Sequence, residues 1–184
     1  MASASIKLLM GLVLVGLLLF LPAGTVHFFN GWILIAVLFI PMFMAGLVML
    51  LRSPVLLRKR LNAKENEREQ KSVVAMSAIM FVMAFVVAGF NFRYSWIVMP
   101  SWTVWSAAVL FLLSYLIYAE VLRENEYLSR TIEVQENQKV IDTGLYGIVR
   151  HPMYSATLLL FLSMPLVLGS VISFVIMLLY IPII

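Results

Sequence analysis

Four long apolar runs, separated by loops of very different polarity, set the frame of this 184-residue chain. The first covers residues 6–22, with Lys7 at its start and Pro22-Ala23-Gly24 at its end. The second covers 28–51, where Pro41 predicts a kink, the third 73–91 and the fourth 102–119. Each reaches, or nearly reaches, the roughly 20 helical residues that a hydrocarbon core requires. Helix is the expected form, because lipid offers no partner to an exposed backbone N–H or C=O. The first run has the Leu- and Val-rich composition of a secretory signal. It lacks a small-x-small cleavage site and a second run follows after an uncharged loop, so it reads as a retained span.

The pattern changes after residue 151. No charged side chain occurs from Pro152 to Ile184. One helix over residues 154–184 would be roughly 46 Å long, against a core of about 30 Å. Pro165 and Leu168-Gly169-Ser170 interrupt the run, so a helical hairpin of two short arms is predicted in place of a single tilted span. The second arm ends at Ile183-Ile184 without an interfacial anchor. A carboxylate left in the bilayer is costly, so the natural chain is expected to continue further.

Composition agrees with this reading and narrows it. Apolar residues make up 63% and charged residues 12%, whereas soluble domains hold about 45–50% and about 25%. The absence of cysteine excludes disulfides and thiol nucleophiles, and two histidines are too few for a histidine-rich metal site, so no metal is expected. The net charge of +4 is carried by residues beside the apolar runs, which argues for membrane headgroups and against nucleic acid. Loop 52–72 holds Arg52, Arg58, Lys59, Arg60, Lys64, Arg68 and Lys71, and loop 120–150 holds Arg123, Arg130, Lys139 and Arg150. With Lys7 these are twelve basic residues, against Arg93 alone on the other side, which predicts that both loops face the cytoplasm. Trp32, Trp96, Trp102 and Trp105 all fall at the opposite ends of the spans, as an aromatic belt would. The expectation is an all-α, polytopic transmembrane bundle over residues 1–184. It is a single membrane domain of four spans plus a hairpin at 154–184.

The two charged loops differ in kind. Loop 52–72 reads as a basic, solvated segment beside anionic headgroups. Loop 120–150 instead carries Glu120, Glu124, Glu126, Glu133, Glu136 and Asp142 against four bases, which suits either a solvated loop or a site for a cationic ligand. Spacings of four residues predict that the fourth helix extends to about Leu128, that residues 131–135 are extended, and that Asp142-Thr143-Gly144 is a turn. At the re-entry, Pro152 suits the first position of a helix and makes His151 its N-cap. The N–H groups of Met153 and Tyr154 would then form an anion site, with Arg150 beside it. Gly144 allows close backbone approach, and Tyr146 and Tyr154 each offer a ring and a hydroxyl. Taken one by one these are ordinary caps and interface anchors; together with the upstream acids they describe a pocket for a zwitterion bearing an extra positive charge.

The string Gly144-x-Tyr146-x-x-x-Arg150-His151-Pro152-x-Tyr154, preceded by Gln135 and Lys139-Val140-Ile141, resembles the signature of the isoprenylcysteine carboxyl methyltransferase family. Residues 123–129 after the fourth span add to the likeness to its bacterial members, which extends over about residues 50–180. The resemblance implies a membrane enzyme that binds S-adenosylmethionine without a Rossmann domain, and the chain has no Gly-x-Gly-x-x-Gly. It further implies that Gln138, Lys139, Val140 and Ile141 bind the cofactor through their backbone, and that Tyr146 packs near it. His151, Pro152, Met153 and Tyr154 would form the cofactor-binding turn, and Gln135 would contribute from upstream. A charged helix with an arginine and paired glutamates, expected after the hairpin in that family, is absent from this sequence. No catalytic residue is assigned.

The expected function is methyl transfer from S-adenosylmethionine to a lipophilic or lipidated acceptor arriving from the bilayer, such as the carboxylate of a prenylcysteine. Two alternatives stay open. A sterol-reductase-like membrane enzyme would need nicotinamide-binding residues. A non-catalytic adaptor or transporter subunit is the other, and transport is opposed by the lack of ionisable residues deep in any span.

Overall fold

The computed structural model describes residues 2–52, 68–124 and 143–182. Among them are seven α-helices: α1 (Ala2–Ala23), α2 (Phe29–Arg52), α3 (Arg68–Tyr94), α4 (Ser101–Glu124), α5 (Leu145–Ile148), α6 (Pro152–Val167) and α7 (Val171–Met177). A 3-10 turn, Leu178–Tyr180, continues α7. The first four contain the membrane spans Ser5–Ala23, Phe29–Leu51, Lys71–Tyr94 and Ser101–Glu124. The expected multi-pass, all-helical architecture is therefore the one the chain adopts. Their outward faces carry exposed Leu9, Met10, Leu21, Ile40, Phe43, Val109 and Leu116. A soluble protein would not leave so continuous an apolar surface in water.

Sequence neighbours are not the closest packing partners. The most extensive contacts join α4 to α6 and α1 to α3, while α2 packs more lightly against α1 and α4. Gly89 explains the first-to-third contact. A Cβ at that position would lie 2.7 Å from the Leu19 carbonyl oxygen and 2.9 Å from Pro22 Cβ, so the two backbones meet with only a hydrogen between them. Leu19, Phe28, Leu34, Phe85, Phe111, Met164 and Val167 form the main core at this crossing. The Tyr115 hydroxyl, donating to the Leu38 carbonyl at 3.0 Å, ties α4 to α2.

The C-terminal segment is a hairpin. Gly169 adopts a left-handed φ of +72°, and the N–H groups of Gly169 and Ser170 bond back to the carbonyls of Leu166 and Pro165. That pair of bonds is the Schellman motif, which closes a helix on a left-handed glycine. Ser170 then caps α7 by accepting from the Ser173 N–H at 3.2 Å. On the return, the Tyr180 ring meets Phe161 edge-on at 4.9 Å, a partner about as far before the turn as Tyr180 is after it. Ser173 donates to the Ala84 carbonyl at 2.8 Å, and Met177 and Tyr180 pack with Met80 and Ala84. The returning chain thus travels toward the N-terminal end of α3.

The breaks at 22–24 and 165–170 fall within the segments the sequence predicts, and glycines set them. Pro22 and Pro165 lie inside α1 and α6. Each forgoes one intrahelical bond, and Gly24 and Gly169, both left-handed, make the actual breaks. Pro41 also sits within an unbroken α2. The expected features at 53–67 and 125–142, including the extension of α4 to Leu128 and the extended stretch at 131–135, lie outside the described residues.

Candidate functional site

The re-entry is built on the end of α4. The Glu124 carboxylate, partly buried, accepts from the Leu145 N–H at 2.9 Å, the first amide of α5. The preceding Gly144 has φ +54° and ψ −124°, a combination that L side chains rarely adopt. A Cβ at Gly144 would fall directly on the Glu124 carboxylate. The glycine is needed twice, for its backbone angles and for the space that the carboxylate occupies. One turn back, Glu120 receives a bidentate pair from Arg123 (2.8 and 2.5 Å), which leaves Glu124 to hold the loop.

From there α5 makes a single turn, Val149 and Arg150 run on exposed, and α6 begins. His151 is its N-cap and Pro152 its first residue, as the sequence predicts. The imidazole, however, makes no capping hydrogen bond. It stacks on Tyr154 instead, with ring centroids 5.4 Å apart and planes at 29°. Both rings are exposed, Pro152 is buried, and Met153 is partly buried. The first amides of a helix have no intrahelical acceptor, so this helix start is open to an incoming negative group. The Thr157 hydroxyl is turned inward to the Met153 carbonyl at 2.8 Å and does not compete for it.

Of the residues expected at the site, Tyr146, His151, Pro152, Met153 and Tyr154 lie on this one stretch, with Tyr146 partly buried in α5. Gln135, Gln138, Lys139, Val140 and Ile141 lie outside the described residues. Sequence reasoning missed Glu124, counting it only as one acid among six. The pairing of a helix-end carboxylate with a glycine 20 positions later leaves no local periodicity, and only the unusual Gly144 hints that something must come close.

Residues 102–184, a little under half of the chain, match the family model of the phospholipid methyltransferases. The matched segment runs from α4 through the hairpin and contains both the Glu124–Leu145 contact and the His151–Tyr154 pair. No curated protein and no solved structure matches the chain.

Proposed function

We propose that this chain is a multi-pass membrane methyltransferase that uses S-adenosylmethionine and methylates the headgroup of a membrane lipid. The observation that carries the reading is the match of residues 102–184 to the phospholipid methyltransferases, a family related to the isoprenylcysteine-type enzymes. The residues present fit the cofactor. An uncapped helix start suits its carboxylate, and the exposed His151–Tyr154 pair offers ring faces and polar edges beside it. Tyr146, His151, Pro152, Met153 and Tyr154, with Gln135, Gln138, Lys139, Val140 and Ile141 from the preceding loop, are the residues assigned to hold it.

When bound, S-adenosylmethionine supplies a methyl group on a sulfonium centre, an electrophile that needs aligned attack more than an activated side-chain nucleophile. The protein's part is positional. Glu124 fixes the loop through Leu145, Gly144 lets it turn, and Pro152 presets the first helical turn that presents Met153 and Tyr154. The acidic balance of loop 120–150 favours a ligand with excess positive charge. The excess of Lys and Arg on this end supports placing it in the cytoplasm.

The acceptor is a phospholipid bearing an amine headgroup. The Gly144-to-Tyr154 string favours a prenylcysteine carboxylate as the second reading. Calorimetric titration of the purified protein with S-adenosylmethionine and, separately, NADPH tests the cofactor. Saturable binding of the first alone is expected, and binding of NADPH alone would overturn the assignment. Transfer of a labelled methyl group to aminophospholipid or to a prenylcysteine analogue then separates the two acceptors.

A further inference from the structure

Away from the His151 end, α1 and α2 enclose an open groove of about 570 Å³ whose wall is almost wholly apolar. It extends from Leu12 and Val13 past Gly16 to Gly24 and Val26, with Trp32 on the opposite wall. Leu12 to Gly24 is roughly 18 Å of helix, close to the depth of one leaflet of a core about 30 Å thick. The wall is fixed: the Trp32 indole donates to the Val26 carbonyl at 2.8 Å and its ring packs on Phe20 at 4.9 Å. At the outer end the Arg93 guanidinium rests on the left-handed Gly24 turn, 3.4 Å from where a Cβ would stand. Arg93 is exposed, and its guanidinium lies over the Tyr94 ring, with Cζ 5.6 Å from the centroid. Among the described residues no carboxylate lies within ion-pair distance of it.

A trough one leaflet deep, apolar along its length and closed at the interface by an uncompensated cation, matches one kind of occupant. We propose that the α1–α2 groove binds a phospholipid of the Arg93-side leaflet, one acyl chain lying along Gly16 and the phosphate resting on Arg93. This lipid sits at the opposite end of the bundle from His151, so it is distinct from any methyl acceptor and does not depend on the proposed activity. An apolar chain gains from the dry wall, and a charge-assisted contact fixes the headgroup.

Gly16 gives a direct test. A Cβ there would meet nothing nearer than Phe20, at 3.9 Å, so Gly16→Leu fills the groove without straining the helix. The full chain, purified in non-ionic detergent and titrated with phosphatidylglycerol, is expected to retain one lipid in native mass spectrometry. Gly16→Leu should lower that affinity roughly tenfold, and Arg93→Gln should lower it by a similar factor while leaving diacylglycerol retention unchanged. Retention untouched by Gly16→Leu overturns the proposal, as does wild-type protein that holds diacylglycerol as well as phosphatidylglycerol. A two-chain mass that Gly16→Leu converts to one chain also overturns it, because a second copy is then the occupant. Quenching of Trp32 by acyl-brominated phosphatidylglycerol, with Trp96, Trp102 and Trp105 replaced by Phe, checks the site without altering the groove. Saturable quenching supports it, and quenching that only tracks bulk lipid counts against it.

Discussion

The two ends of the bundle handle their polar groups in opposite ways. At the Arg93 end nearly every turn is closed from within. The buried Asn91 side chain both donates to the Ile97 carbonyl (3.0 Å) and accepts from its N–H (3.2 Å). Trp32 holds Val26, Asn30 reaches the Leu168 carbonyl at 3.4 Å, and Gly24 and Gly169 end their helices in left-handed turns. At the His151 end one carboxylate, Glu124, holds the loop, and the cap residue of α6 leaves its helix uncapped. Closed turns spend their donors and acceptors on the fold, whereas open ones keep them for something else. The contrast fits stability at the turns of the first end and the proposed cofactor at the helix start of the second, while the exposed Arg93 stands apart from those closed turns.

The largest expected effect breaks the closed end. Gly89→Val places methyl groups where the Leu19 carbonyl and Pro22 already stand, and should cost up to about 3 kcal/mol of stability, the range for overpacking a tight contact. Thermal unfolding in detergent reads it as a lowered Tm. Asn91→Ala comes next, at a buried position of the same helix. It removes both part-buried hydrogen bonds to the Ile97 backbone, at a cost of about 1–2 kcal/mol, and cofactor affinity of the protein that remains folded should not change.

The open end should respond in the reverse sense. His151→Ala is expected to weaken S-adenosylmethionine binding by about 1–2 kcal/mol with little change in Tm. Unchanged affinity in folded protein would remove the cofactor assignment. Glu124→Gln keeps an acceptor for Leu145 but loses its charge, so a shift of about 1 kcal/mol or less in cofactor affinity is expected, and Glu124→Ala should exceed it. The smallest effect belongs to Tyr154→Phe. It retains the stack on His151 and should change affinity by less than about 0.5 kcal/mol if the ring is what matters.

The spans and the hairpin were legible because run length and left-handed glycine are local signals. Gly169 announces its turn without reference to any other residue, and His151-Pro152 announces a helix start in the same way. The choice of partners was not legible. That α1 packs on α3 rests on Gly89 facing Leu19, 70 positions apart, and nothing in either helix marks the other. The stacking of His151 on Tyr154, where a capping bond was the simpler expectation, depends on a rotamer and not on spacing. The breaks after Pro22 and Pro165 both fall within the expected segments, and there the glycines and not the prolines set the end: α1 runs one residue past Pro22 and α6 two past Pro165.

The hairpin also bears on how the chain enters its membrane. At 16 residues α6 is about 24 Å long, and α7 with its 3-10 turn is about 16 Å. Neither crosses a core of about 30 Å by itself. Ser173 donates to the Ala84 carbonyl of α3, and the Ser170 and Ser173 hydroxyls lie 2.9 Å apart in a fully buried setting. In open lipid the Ser173 hydroxyl would lack its α3 acceptor. Biogenesis should therefore be ordered: the four long helices integrate first, and the re-entrant arms slide in afterwards against a groove already formed by α3 and α4. The hairpin of the segment matched to the methyltransferases would then acquire its shape last, only in chains whose four long helices have already assembled.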